Sequence, residues 1–299
     1  MAQWEGKTRG GVTGYKFFVF IIRKIGVPFA YFFLKIVAVY FLFSSSKAYK
    51  AIFYYFNRIH GYGKIKSFFS TYRNFCLLGK VLVDKIAILS GVTERYTYNF
   101  DGEDQLRKLA EANTGGILVN AHVGNWEIAG QLLERLNTRI NILMYDAEHK
   151  NIKHYLSNVL EQKNVGFIII RDDISHLEKI RDALQNKEII AMNGDRYMPG
   201  NRTITCKFLG YEAEFPVSPF YMAGKYNVPV VYVFAIKETS SHYHFFASAP
   251  RKLENFNNFK TREIILKNTV NEYVAELEKI VLKYPMQWFN YYNFWKQTS

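Results

Sequence analysis

The sequence predicts an α/β fold: a largely parallel or mixed central sheet flanked by helices, preceded by membrane-associated N-terminal helices. Three observations predict it. After Val92, short apolar runs bounded by turn residues alternate with segments of helical period, the pattern of strands and helices in a parallel sheet. Runs such as Gly116–Ala121 (GILVNA) and Gly166–Ile170 (GFIII) have the continuous apolar character of buried strands. Before residue 90 the pattern differs, with one long apolar run followed by a stretch in which basic and aromatic residues alternate. These shifts divide the chain into a polar N-terminus (1–15), a membrane-associated helical region (16–90) and an α/β domain (91–299).

The apolar run begins at Phe17, is interrupted by Arg23 and Lys24, and resumes from Ile25 to Phe43 with Lys35 as its one charge. Its length is near the lower limit for a membrane span, so a spanning or deeply inserted helix, an interfacial helix and a buried core helix are all open. Pro28 lies near its start, where a helix tolerates proline. No small-residue cleavage site follows, which disfavours a secretory signal. From Ser44 to Leu89, Lys47, Lys50, Arg58, Lys64, Lys66 and Arg73 are interleaved with Tyr and Phe. That reads as amphipathic helices with a cationic and an aromatic face, suited to a membrane surface.

The α/β elements follow in order. Strands are expected at 96–100, 116–121, 139–144, 166–170, 188–192, 228–234 and 243–247, and helices at 104–111, 125–136, 152–162, 175–186, 217–226 and about 261–283. Ser175 with Glu178 has the spacing of a capping box.

Composition narrows the function. With 49% hydrophobic and 22% charged residues the 299-residue chain can bury a large core, so global disorder is not expected. The 25 Phe and 22 Tyr exceed what a core needs and suit a lipid-facing surface. The net charge of +13 favours polyanionic partners: nucleic acid, anionic lipid or an acidic carrier protein. No RNP-like or helix-turn-helix signature accompanies it, so nucleic acid is not expected. Cys76 and Cys206 form no CxxC pair, which excludes a zinc ribbon or redox motif; both are expected to be buried. His149 and His154 are five residues apart rather than four, and His242 and His244 lie on a strand without a ligand partner, so no metal is expected. GxSxG, GxGxxG and P-loop signatures are absent.

The sharpest local feature is NAHVGNWE, Asn120–Glu127. A buried strand ends at Ala121, so His122 stands where ligands bind in open α/β sheets. Glu127 follows in the first turn of the expected helix, and Gly124 lets the chain fold back. A neutral imidazole can take the proton of a hydroxyl attacking a thioester, and a carboxylate on its other nitrogen fixes the tautomer. Spacing alone leaves open a helix-edge histidine beside a solvated acid. Asn125 has two readings, helix cap or donor to an oxyanion.

His-x4-Glu between strand and helix resembles the signature of the late lipid A acyltransferases, the lauroyl- and myristoyl-transferase type within the lysophospholipid acyltransferase superfamily. Glu188–Phe234 resembles the second half of that family: Asp195 takes its aspartate position with Arg196 beside it, and Phe208, Gly210, Phe215 and Pro216 fill its loop pattern. Pro285–Trp295 (PMQWFNYYNFW) resembles its aromatic ending. The resemblance runs from about Tyr15 onward. It implies catalysis by His122 and Glu127, substrate binding by Asn125, Arg171, Asp195 and Arg196, and no metal or redox cofactor. Lys163 lies nearer the family's arginine position; Arg171 is the nearest arginine. It further implies an acyl carrier protein (or acyl-coenzyme A) donor, a lipid acceptor, and residence on the cytoplasmic face of a bacterial inner membrane. Lipid A or a related lipid is the expected acceptor. An aminolipid or aryl-polyene lipid, and a non-catalytic lipid- or carrier-binding module on the same fold, are the alternatives.

Overall fold

A computed structural model describes residues 12–125, 128, 138–145, 165–171, 173–198 and 200–295. The chain opens with helices α1 (Val12–Lys24) and α2 (Val27–Ser44). Gly26 separates them at φ +109°, a conformation few other residues adopt, and Pro28 sits in the first turn of α2. Helix α3 (Ser46–Tyr54) runs through a short π turn (Tyr55–Ile59), and α4 (Lys64–Leu89) follows. Helix α2 lies antiparallel along α4. Leu34 packs where Gly79 has no side chain, Tyr31 bonds to Asp84, and the Tyr72 hydroxyl donates to the Lys35 carbonyl at 3.3 Å. The opposite face of α2 exposes Phe29, Phe32, Ile36, Tyr40 and Phe43.

The seven-stranded sheet has the order β1-β9-β8-β2-β5-β3-β4. Its strands are β1 (Thr97–Asp101), β2 (Gly116–Asn120), β3 (Ile140–Tyr145), β4 (Val165–Ile170), β5 (Ile189–Asn193), β8 (Val230–Lys237) and β9 (His242–Ala247). All neighbours are parallel except β8 and β9, which are antiparallel, so the sheet is mixed. Every residue of β2 is buried, because both faces of this central strand are covered. One face packs against α7 (Ser218–Tyr226) and α8 (Phe259–Lys283) through Phe220, Val270, Tyr273 and Leu277. On the other face α5 (Glu103–Glu111) covers Leu118, Ile189 and Val231, and α1, α2 and α4 cover Ala235, Tyr243 and Phe245. Helix α6 (Ser175–Gln185) closes the remaining side of the larger core.

Three local expectations change. The stretch read as a loop after Asp195 contains a hairpin, β6 (Thr203–Phe208) and β7 (Tyr211–Pro216). Leu209 and Gly210 both take positive φ at its tip. A two-residue turn of this kind ordinarily announces itself as Asn-Gly, and Leu-Gly hides it. Ser175 is the first helical residue of α6 rather than its cap; the Asp173 carboxylate accepts its N–H at 3.0 Å. Cys206 is buried but Cys76 only half-buried, because α4 turns it partly outward. The helices expected at 125–136 and 152–162 lie outside the described residues, apart from residues 125 and 128.

Leu277 sits fully buried at the centre of the α8 face. Leu277→Ala is expected to lower the unfolding free energy by about 2–5 kcal/mol, read by chemical denaturation.

Candidate active site

His122 lies two residues beyond the end of β2, and Asp195 two residues beyond the end of the neighbouring β5. The two strands pair in register, Asn120 opposite Asn193, so the residues that follow them emerge side by side. Gly194 makes the approach possible. Its N–H donates to the Asn120 carbonyl at 2.8 Å, and a Cβ there would lie 2.6 Å from Val119 and 2.7 Å from the Tyr273 ring. The Tyr273 hydroxyl donates to the same Asn120 carbonyl at 2.8 Å.

The imidazole Nδ1 of His122 is 2.7 Å from Asp195 Oδ1, and its backbone N–H donates to Asp195 Oδ2 at 2.9 Å. A carboxylate only accepts, so Nδ1 carries the proton, and in the neutral form of the ring Nε2 is the bare nitrogen. Asp195 has no exposure, whereas the His122 side chain keeps 15%, so it is the imidazole end of the pair that opens outward. Among the described residues no hydrogen bond engages Nε2. Burial pushes the Asp195 carboxyl upward, but His122, its hydrogen bonds and the Arg196 charge outweigh that and hold it below the usual carboxylate range.

The C-terminal aromatic segment walls this pair. Trp288 Nε1 donates to Asp195 Oδ2 at 3.4 Å, and the Tyr292 hydroxyl donates to the Asp195 carbonyl at 3.4 Å. The Phe289 N–H donates to the His122 carbonyl at 2.8 Å, and the Gly124 N–H to the Gln287 carbonyl at 2.9 Å. Gly124 takes φ +63° and approaches β8 so closely that a Cβ would fall 1.9 Å from the Ala235 carbonyl oxygen. Glycine is therefore required at that step.

The residues singled out from the sequence fall in different places. His122 and Asp195 meet, and Arg196 joins them by donating from Nη2 to the Phe289 carbonyl at 2.8 Å, which holds the aromatic wall. The Asn125 side chain is buried and turns away from the imidazole: its Nδ2 donates to the Val81 carbonyl at 3.2 Å and to the Tyr243 hydroxyl at 3.4 Å. Among the described residues its side-chain oxygen has no hydrogen-bond partner, and the helix it was expected to cap lies outside them apart from residue 128. Arg171 is exposed beyond β4 at the sheet edge, separated from β2 by β5 and β3, about 14 Å at ordinary strand spacing. Glu127, Lys163, His149 and His154 lie outside the described residues. Trp288, Phe289 and Gln287 carry the wall that residue-by-residue reading passed over; the dense aromatic ending was the signal available. Among the described residues no cluster of His, Cys, Asp or Glu could hold a metal ion.

The family model for bacterial lipid A biosynthesis acyltransferases matches residues 9–297. No curated protein matches at a significant level. Among solved structures, the crystal structure of the 1-acyl-sn-glycerophosphate (LPA) acyltransferase PlsC from Thermotoga maritima is similar at 16% identity and TM-score 0.39, over 86% of this chain and 96% of that one. The family match spans nearly the whole sequence: the chain belongs to the bacterial lipid A biosynthesis acyltransferase family, and is an acyltransferase, a class that implies an acyl donor and a lipid acceptor.

Proposed function

We propose that this acyltransferase moves a fatty acyl group from acyl carrier protein (or coenzyme A) to a hydroxyl of lipid A or a related lipid, with His122 as general base, on the cytoplasmic face of a bacterial inner membrane. The observation that carries this reading is the Asp195–His122 bond at Nδ1, which leaves Nε2 as the proton acceptor. In the step, Nε2 takes the proton of the acceptor hydroxyl as its oxygen attacks the thioester carbonyl carbon. The tetrahedral intermediate collapses, the C–S bond breaks, and the departing thiolate recovers the proton from the imidazolium. An ester and a free thiol result. The buried Asp195 carboxylate favours the transient imidazolium and keeps the ring from rotating. Glu127, the acid of the sequence motif, is proposed as a second carboxylate of the same site.

Charge and surface support this reading of the donor and the location. Acyl carrier protein is acidic and lipid A acceptors carry phosphates; a protein of net charge +13 attracts both. Helix α2 is long and apolar enough to cross a membrane, yet it packs lengthwise on α4. Its exposed Phe and Ile side chains, together with Ile65 and Phe69 of α4, suit burial in the lipid of one leaflet.

Mass spectrometry of lipids from bacteria with and without the protein tests the acceptor: lipid A lacking one acyl chain is expected without it. His122→Ala is expected to leave that defect uncorrected, with turnover reduced about 10²–10⁴-fold. Loss from another lipid class moves the acceptor to that class, and unchanged lipids in all classes contradict the reading.

Asp195→Asn and Glu127→Gln divide the roles. Asp195→Asn is expected to cut turnover at least about 10²-fold, since an amide can hold the wrong tautomer. Full activity in Asp195→Asn beside a dead Glu127→Gln would transfer the orienting role to Glu127. The folded pKa of Asp195 is depressed, so its contribution to stability is present above the unfolded value of about 3.9 and is lost as pH falls through the folded value. Asp195→Asn is therefore expected to be less stable than the parent at neutral pH, with the gap closing on acidification below about pH 4 in denaturation curves.

A further inference from the structure

Asp84 on α4 is a second wholly buried carboxylate, and acyl transfer as described makes no use of it. Its partner is the ammonium of Lys237, at the end of β8 and equally removed from water. Both charges are fully supplied. Asp84 Oδ1 accepts from the hydroxyls of Tyr31 and Tyr96, the second at 2.9 Å, and Oδ2 accepts from Lys237 Nζ and the Tyr243 hydroxyl. Four donors fill the acceptor capacity of a carboxylate. Lys237 Nζ also donates to the Ser240 carbonyl at 3.0 Å and lies 4.7 Å from the centre of the Tyr243 ring. Burial lowers the Lys237 pKa against the pull of Asp84, as expected where protein groups have replaced water. Removing either charge would strand the other.

Tyr243 on β9 carries this cluster toward His122. Burial, then the neighbouring Asp84 charge, raises its pKa well above the ordinary tyrosine value, so the hydroxyl keeps the proton that it donates to Asp84. Its oxygen is left to accept, and Asn125 Nδ2 donates to it at 3.4 Å. The same amide nitrogen donates to the Val81 carbonyl of α4 at 3.2 Å, and the Asn125 backbone N–H donates to the Ala235 carbonyl at 2.7 Å. Asn125 ends the four-residue segment that His122 begins. One flank of that segment is held by Asp195, Gln287 and Phe289. The other is held by Asn125, through α4, β8 and β9.

The geometry points to Asp84 and Tyr243 as positioning residues for the His122 base: they seat the Asn125 amide, and Asn125 fixes the segment from which the imidazole projects. This inference rests on the reading of His122 as the base. It gives the buried ion pair a task besides joining layers. Tyr31 of α2 fills another acceptor site on the same Asp84, so the carboxylate that seats the catalytic segment also docks the apolar helix. A cluster that merely cements the fold would respond alike to loss of any tyrosine hydroxyl. A positioning cluster would respond at the His122 segment only when the hydroxyl bonded to Asn125 is lost.

Tyr243→Phe and Tyr96→Phe separate these cases, since each removes one donor to Asp84 and only the first removes the acceptor of Asn125. Two readouts apply to the full chain in detergent: amide hydrogen exchange of peptides covering 119–125, and steady-state kinetics. The kinetic probes are a dodecanoyl thioester of acyl carrier protein and a phosphorylated glucosamine disaccharide bearing hydroxyacyl chains. Tyr243→Phe is expected to speed exchange of 119–125 about tenfold and to lower kcat about 10- to 100-fold with KM unchanged. Tyr96→Phe is expected to lower the unfolding temperature comparably and to leave both readouts at the parent level. Asn125→Ala is expected to reproduce the Tyr243→Phe result, and the double variant to lose no more than Asn125→Ala alone, because the two act through one bond. Equal responses of the two tyrosine variants, unchanged exchange in Tyr243→Phe, or faster exchange with unaltered kcat would overturn the inference. Normal turnover by His122→Ala would remove the base assignment instead, and the exchange comparison would still decide whether Tyr243 seats the segment.

Discussion

A carboxylate shut away from water must have its lone pairs filled by the protein, and that demand on Asp195 organises the site. The donors that meet it are the imidazole and backbone of His122, with the Trp288 indole behind. Each of these fixes something the proposed chemistry needs: the ring's tautomer, the position of the chain after β2, and the wall that shields the pair. The register of β2 with β5 brings the two residues together, and the bare Cα of Gly194 allows the contact to close. Removing the imidazole would leave the charge uncompensated, so fold and chemistry share one interaction.

The same physics recurs at Asp84, beneath the helical layer. There the buried carboxylate of α4 gathers tyrosine hydroxyls and one lysine from α2, β8, β9 and the residue before β1. The two carboxylates stand on opposite flanks of the segment His122–Asn125. Helix α4 connects them: Asn74 donates to the Met286 and Trp288 carbonyls at 3.0 and 3.1 Å, while Asp84 and Val81 reach the other flank. The helix that carries α2 thus also braces both sides of the site, which ties the exposed apolar face of α2 to the proposed site of acyl transfer.

Much of this was legible in the sequence. The described strands and helices of the α/β region follow the apolar periodicity, because a sheet covered on both faces demands continuous apolar runs such as GILVN. His122 stood out since a polar residue directly after such a run marks the strand end where ligands bind. The partner at Nδ1 was harder to read. Glu127 is close in sequence, whereas Asp195 is brought near by strand pairing seventy-three residues away. The Leu209-Gly210 hairpin lacked the usual turn residues, and Asn125 showed no sign that its amide would face α4 rather than the site. Interactions fixed by local spacing can be read from one sequence; those fixed by topology need the fold.

The central claim is that Asp195 holds the Nδ1 proton of His122 and leaves Nε2 bare to accept one. Nitrogen NMR of histidine-labelled protein tests it directly, above the pH at which the ring is charged. The account predicts a His122 resonance pair with a protonated Nδ1 and an unprotonated Nε2, lost or redistributed in Asp195→Asn. A His122 ring protonated at Nε2, or one whose nitrogens ignore the loss of the Asp195 charge, would contradict it.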